Sequence, residues 1–290
     1  MRRGCRFAAV AAAIALVALA AVVWVIPWCR EVVALEENPD AMVPSMVYML
    51  CHSRRLWLSG VWGTLSVSVL GTVTGFVLAV GLVFLRINAP GRRDSRPLRF
   101  AKSTGVDLVK LYVTIFRGTP MMVQAAIVYY AGFNIVRSAM PNASITEVNQ
   151  RWSFFMAALL TVSLNSAAYL VEVLRGGVGA LNRGQREAAV SLGFSNWQTM
   201  IKVIFPQAVR NSLPSIGNEL VNNIKGTSVL TIIGYTELMF ATSSVAGFYY
   251  KYLANYLTAA VIYLILTLSL TWLLETSMRR IGIAQKEIAA

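Results

Sequence analysis

Acidic side chains are scarce in this chain: 13 Asp and Glu stand against 26 Lys and Arg, and all charged residues together make up only 13%. A soluble domain carries about 25% charged residues, so an ordinary soluble globular protein is excluded. The balance is apolar, with 57% hydrophobic residues and a mean hydropathy of +0.60. One histidine, His52, and three cysteines, Cys5, Cys29 and Cys51, have no metal-ligand spacing, which argues against a His/Cys metal centre. No segment reads G-x-x-x-x-G-K-[ST], and Lys225-Gly226-Thr227 has the wrong order, so the chain has no phosphate loop of its own. Neither an inverted nor a parallel internal repeat is visible, which argues against a secondary transporter built from two repeated halves. A net charge of +13 would point a soluble protein towards nucleic acid. Here the basic residues cluster in short segments between apolar runs, so they read as membrane topology and no nucleic-acid partner is expected.

A membrane-spanning helix needs about 20 mostly apolar residues. Six segments qualify: Phe7–Trp28, Trp57–Leu85, Leu108–Phe133, Phe154–Leu174, Leu213–Ala241 and Tyr252–Thr276. The first has a basic start, Arg2, Arg3 and Arg6, but it is longer than a signal-peptide core and no clear small-residue cleavage site follows it, so it reads as an uncleaved span. The basic residues set the orientation. Arg86, Arg92, Arg93, Arg96, Arg99 and Lys102 mark one cytoplasmic loop; Arg175, Arg183, Arg186, Lys202 and Arg210 mark a second; Arg279, Arg280 and Lys286 hold the C-terminus inside. Glu31, Glu36, Glu37 and Asp40 fall outside, with Arg54 and Arg55 as dissenters. Cys29 and Cys51 fall on that outer side, where a disulfide can form, though only their placement supports one. The expectation is an all-α multi-pass membrane protein with both termini cytoplasmic, divided into an N-terminal anchor and outer loop (1–56) and a main transmembrane domain (57–290). Six spans per chain suggest that any pathway is completed by a second copy or a paralogue.

Within this apolar chain lies a polar island from Gln185 to Pro206, part of a cytoplasmic loop over 176–211. Asn182 with Gln185, and Ser195 with Gln198, have capping-box spacing. Gly193 suits the left-handed residue that closes a helix, and Pro206 is expected to stop a second helix at Phe205. Two short helices turning at Gly193 are therefore predicted, the second with apolar residues at Trp197, Met200, Ile201 and Ile204. Such a pair can be an amphipathic linker, a helix-turn-helix DNA reader or an element that docks on a soluble subunit. Tethering each end to a span argues against the second.

Glu187-Ala188-Ala189, then Gly193, Ile204 and Pro206, resemble the EAA loop of ABC importer permeases. The similarity continues through Ile115-Phe116-Arg117-Gly118-Thr119-Pro120, Asn165-Ser166-Ala167-Ala168-Tyr169-Leu170, Arg175-Gly176-Gly177, Pro206-Gln207-Ala208, Gly217-Asn218 and Lys225-Gly226-Thr227-Ser228. In this order, from about Ser59 onward, the set resembles the polar amino-acid subfamily of histidine, glutamine, glutamate, arginine and opine permeases. The resemblance implies a type I (MetI-like) core of five spans in a bacterial inner membrane, here with one extra N-terminal span. It also implies ABC ATPase subunits carrying ATP and Mg, an extracytoplasmic binding protein that delivers a polar amino acid, and no cofactor or catalytic residue in this chain. Arg186, Glu187, Ala188, Ala189, Leu192 and Gly193 would meet the ATPase. The chain departs from the family at Gly226, where an acidic residue is common.

Polar residues within spans are costly and usually face a cavity or a partner. Asn165, Tyr169 and Glu172 share one helical face; Asn218, Glu219, Asn222 and Lys225 belong to a polar stripe on the fifth span. These are the expected pathway residues, the alternative being that they pair with one another and hold helices together. Glu172 can also pair with Arg175. Arg117, Gly118 and Pro120 predict a kink in the third span, either a packing feature or the hinge of a gate. The rival to an importer subunit is a stand-alone ion-coupled carrier or channel; a third class is a membrane-anchored signalling or scaffold protein.

Overall fold

The computed structural model describes residues 25–87, 91 and 94–280. The greater part of the expected first span, Arg2, Arg3, Arg6, Cys5, Arg92, Arg93 and Lys286 lie outside the described residues. The described elements are helical: α1 (Ile26–Val33), α2 (Met42–His52), α3 (Arg54–Ile87), α4 (Arg96–Gly118), α5 (Met121–Ala139), α6 (Ile145–Arg151), α7 (Phe154–Gly179), α8 (Arg183–Ser191), α9 (Asn196–Thr199), α10 (Phe205–Gly226), α11 (Leu238–Tyr249) and α12 (Tyr252–Arg280). A π turn, Met200–Ile204, joins α9 to α10, and a 3-10 helix, Thr227–Ile233, follows α10.

Three helices, α3, α7 and α12, are long and apolar enough to cross a membrane. They match three expected spans, because an uninterrupted apolar run of this length has few other ways to bury itself. The third and fifth expected spans are corrected. Instead of one kinked helix, α4 and α5 are separate helices set at 111°. Thr119 and Pro120 are both extended between them, as the steric demand of proline on its predecessor requires. The fifth span is likewise not one helix: a nearly continuous rod from Asn196 to Ile233 meets α11 at a bend of 55°. Pro206 does not end a helix either. In the π turn the Phe205 N–H bonds to the Met200 carbonyl, five residues back, so the widened turn makes room for a proline in the first turn of α10, where its missing N–H costs little.

The chain forms two compact units. The larger, Gly60–Phe240 with the segment from Ile262, is organised around α7, of whose apolar window 56% is buried. Small residues along α7, among them Ala157, Ala158, Ser166, Ala167 and Ala168, are buried and let neighbouring backbones approach closely. One apolar cluster joins Val67, Ala125, Ala157, Ala158, Val162, Leu230 and Ile233; another joins Ala79, Val83, Val109, Val113, Leu170, Val171 and Leu174. Gly63 of α3 lies so close to the segment before α11 that an added Cβ would sit 2.1 Å from the Thr236 carbonyl oxygen. There Tyr235 donates its hydroxyl to the Gly63 carbonyl at 3.1 Å, and the Leu238 N–H bonds to Thr64 at 3.1 Å.

The smaller unit, up to Ser59 together with Ala241–Val261, has its own ties. Lys251 donates to the Pro39 carbonyl at 2.6 Å and pairs with Asp40 at 3.3 Å; Asn255 donates to the Met49 sulfur at 3.2 Å. Cys29 and Cys51 are free thiols.

Candidate functional site

Two regions of the larger unit gather the residues singled out above: a projecting helical tip and a polar helix face. At the tip, Asn182 caps α8 by accepting from the Gly184 N–H at 2.9 Å. No reciprocal bond from the Gln185 side chain accompanies it among the described residues, so the predicted box is reduced to a single cap. The second box is complete: Ser195 accepts from the Gln198 N–H at 3.2 Å, and Gln198 accepts from the Ser195 N–H at 2.9 Å. Gly193 has φ +84°. Its N–H bonds to the Val190 carbonyl at 2.9 Å, and that of Phe194 to the Ala189 carbonyl at 3.1 Å. These are the paired bonds of a Schellman closure, which needs a left-handed residue at this position.

The closure determines which side chains face outwards. Arg186, Glu187, Ala188 and Gly193 are exposed, whereas Ala189 is buried against the fold. Leu192 is 78% exposed and Trp197 56%, with Val190 and Ile201 open beside them. Trp197 nevertheless has one edge anchored: the Phe84 ring at the end of α3 lies 5.6 Å from it and 4.7 Å from Phe205. The tip is thus a firmly braced turn with a charged flank and an apolar crest, and no described group covers the crest. Val190 and Trp197 are additions to the residues expected at this surface. The helical spacing of Trp197 was visible in the sequence, but the way either residue faces was not.

On α10 the structure separates the polar residues into two faces. Asn223 is buried and donates to Thr72 of α3 at 2.8 Å and to Ser166 of α7 at 2.6 Å, so one amide ties three helices. Glu219, half-buried, hydrogen-bonds Ser166 as well. Asn211, Ser215, Asn218, Asn222 and Lys225 are exposed, and their spacing of three and four residues aligns them in one stripe. An exposed polar stripe on a helix in a membrane-type chain is unstable against lipid, so it must face water or another polar surface.

The α4–α5 break is held from both sides. Gln124, buried on α5, donates to the carbonyls of Phe116 (2.8 Å) and Thr119 (3.0 Å), both released by the end of α4. Its oxygen accepts from Asn165 of α7 at 2.9 Å. Asn165 is therefore buried in this clamp rather than on the surface. Tyr169 is partly exposed one turn further along, with the Arg117 guanidinium 5.2 Å from its ring centroid. Glu172 pairs with Arg175 at 2.8 Å, as its spacing allows, and also with Arg86 of α3. Gln124 was not among the expected residues; a glutamine four positions after a helix-breaking proline was its only local signal. Replacing Gln124 with leucine leaves the Phe116 and Thr119 carbonyls and Asn165 without this partner. The expected result is a loss of about 2–3 kcal/mol, read as a lower thermal midpoint in detergent with helicity retained; an unchanged midpoint would show that the clamp is not needed.

Among the described residues no group of three or more His, Cys, Asp or Glu side chains could hold a metal ion. The larger unit's chemistry is that of surfaces and hydrogen bonds.

Comparison with known proteins places this geometry. Residues 99–283 match the family described as binding-protein-dependent transport system inner membrane component. The putative glutamine transport system permease protein GlnP of Rickettsia felis is 33% identical over 216 residues, covering 74% of this chain and 88% of that protein. The arginine transport system permease protein ArtQ of Bacillus subtilis is 32% identical over 224 residues, covering 77% and 91%. Among solved structures, a chain of an amino acid ABC transporter crystallised with histidines aligns with a TM-score of 0.63 at 28% identity, covering 80% of this chain and 96% of that one.

Proposed function

The chain belongs to the family of binding-protein-dependent transport system inner membrane components, and we propose that it is the permease subunit of an ATP-driven importer for a polar amino acid. In this reading an extracytoplasmic binding protein delivers the substrate. Separate ATPase subunits bind ATP and Mg and dock on the tip. A second copy of the chain, or a paralogue, completes the pathway. Both termini face the cytoplasm of a bacterial inner membrane, which puts the tip on the side where ATP is.

The observation that carries the proposal is the tip itself: a closed, braced helical turn whose apolar crest, Leu192 and Trp197, is left open. Such a patch on a polar loop marks an interaction surface. Arg186, Glu187, Ala188, Leu192 and Gly193 form the contact, and the buried Ala189 lets α8 lie flat on the fold. Nucleotide-driven closure of two ATPases would move the tip as a rigid body and carry the attached spans with it, a two-state change. Asn218, Asn222 and Lys225 supply this chain's half of a polar pathway, while Asn165, Glu219 and Glu172 hold its walls. Arg117, Gly118 and Pro120 lie at the break, where Tyr169 faces the Arg117 cation. The stripe offers amides to a substrate carboxylate and hydroxyl and amide oxygens to an ammonium group.

Proteoliposomes test this. Uptake of a polar amino acid is expected only when permease, ATPase and binding protein are combined with ATP. Uptake by the lone chain, driven by an ion gradient, would replace the importer with a stand-alone carrier; no uptake under any condition would point to a scaffold.

A further inference from the structure

The smaller unit holds a cavity of about 820 Å³, and one of its walls precedes the family match, which begins at residue 99. Its wall includes His52, Ser53, Arg54 and Arg55 on one side and Phe248 and Tyr249 on the other. The two arginines are exposed and are in no ion pair among the described residues. Of the acidic residues nearest in sequence, Asp40 pairs with Lys251, and none of Glu31, Glu36, Glu37 and Asp40 lines the cavity. The His52 ring is fixed: it stacks on Tyr48 at 3.9 Å, and its Nδ1 lies 3.0 Å from the Tyr48 carbonyl oxygen. The cavity therefore concentrates uncompensated positive charge beside aromatic carbon.

We propose that this cavity binds the phosphate of an anionic phospholipid headgroup, with Arg54 and Arg55 as its main ligands, Ser53 as a hydrogen-bond donor, and Phe248 against the glycerol and upper acyl chain. The assignment to the outer leaflet rests on the orientation proposed above. Four features favour lipid over an acidic protein surface. Arg54 and Arg55 run against the charge bias that sets topology, and anionic headgroups at the membrane surface would offset them. Leu58, one turn along the same helix face as Arg54, is 66% exposed, and a helical turn is about 5.4 Å. The cations thus sit at headgroup height above a surface that fits acyl chains. Phe248, Tyr252 and Leu253 of the same unit are also widely exposed, the composition of a membrane-interface belt. A concave site of this volume accepts a headgroup, whereas a protein partner would have to insert a protrusion.

The test uses the full chain purified in mild detergent, with bound lipid counted by native mass spectrometry as phosphatidylglycerol or phosphatidylcholine is titrated. One phosphatidylglycerol should bind in clear preference to phosphatidylcholine. The R54A/R55A variant should weaken that site roughly thirtyfold, and R54K/R55K should weaken it less. R137A/R151A, which removes two exposed arginines outside the cavity, should leave it unchanged. Equal affinity in wild type and R54A/R55A would overturn the proposal, as would an equal loss in R137A/R151A. Inorganic phosphate bound as tightly as phosphatidylglycerol would move the site to a free anion and overturn the lipid assignment. A thermal midpoint in the same detergent checks folding, and the single variants R54A and R55A serve if the double variant does not fold. The readout needs neither ATP nor transport, so its failure is distinct from failure of the importer reading.

Discussion

A valine at position 193 is expected to reduce ATP-driven uptake about tenfold or more while the permease remains folded. No atom lies within 4 Å of a Cβ built on Gly193, so the substitution causes no collision. Its effect comes from the backbone. An L-residue held in the left-handed region costs about 1–2 kcal/mol, and a β-branched one is a genuine outlier there. A cost of about 1.4 kcal/mol changes an equilibrium tenfold. The Schellman bonds from Gly193 and Phe194 would loosen, and the angle between α8 and α9, which aims Leu192 and Trp197, would no longer be set. Gly193→Asn, which tolerates this conformation, should keep most uptake. The measurement is proteoliposome uptake together with substrate-stimulated ATP hydrolysis. Wild-type values for both in Gly193→Val would refute the docking role of the tip.

The largest effect on stability is expected at Glu237, which is wholly buried at the bend before α11. One carboxyl oxygen accepts from Thr231 Oγ1 at 2.6 Å and from the Phe240 N–H at 2.7 Å; the other accepts from the Met239 N–H at 2.8 Å and from Tyr263 OH at 3.1 Å. Glu237→Ala removes the carboxylate acceptor of two backbone N–H groups and two hydroxyls, for an expected loss of about 3–5 kcal/mol. Glu237→Gln should cost about half as much. Each oxygen serves one hydroxyl, which can rotate to accept, and one backbone N–H, which cannot. Thermal unfolding in detergent reads the series. A midpoint in Glu237→Ala equal to wild type would mean that water or a rearrangement satisfies these groups.

Much of the fold was legible because its causes are local. An apolar run long enough to cross a bilayer becomes a helix wherever it sits, so α3, α7 and α12 were found within a few residues of their ends. Cap chemistry acts over three or four residues, so Ser195, Gln198 and Gly193 could be assigned from spacing alone. The bends were less legible. Pro120 announced a disturbance in the third span, but not an angle of 111°. That angle depends on Gln124 and Asn165 satisfying carbonyls released by the break, and such partners meet only after α7 is in place. Pro206 misled, because a π turn upstream relieves the clash that would otherwise end the helix.

The candidate site divides in the same way. The sequence by itself determined that the chain spans a membrane, that it has no phosphate loop of its own, and that a capped helical pair turns at Gly193; these follow from hydropathy, spacing and backbone sterics. Only the tertiary structure decided that Ala189 turns inward while Leu192 and Trp197 turn out, that Asn223 binds helices together while Asn218, Asn222 and Lys225 stay open, and that Glu237 holds a bend. Those outcomes depend on which neighbouring helix reaches each side chain first. A buried amide with a partner fastens the fold, whereas the same amide one helical position away, with none, is left for water, substrate or a second subunit.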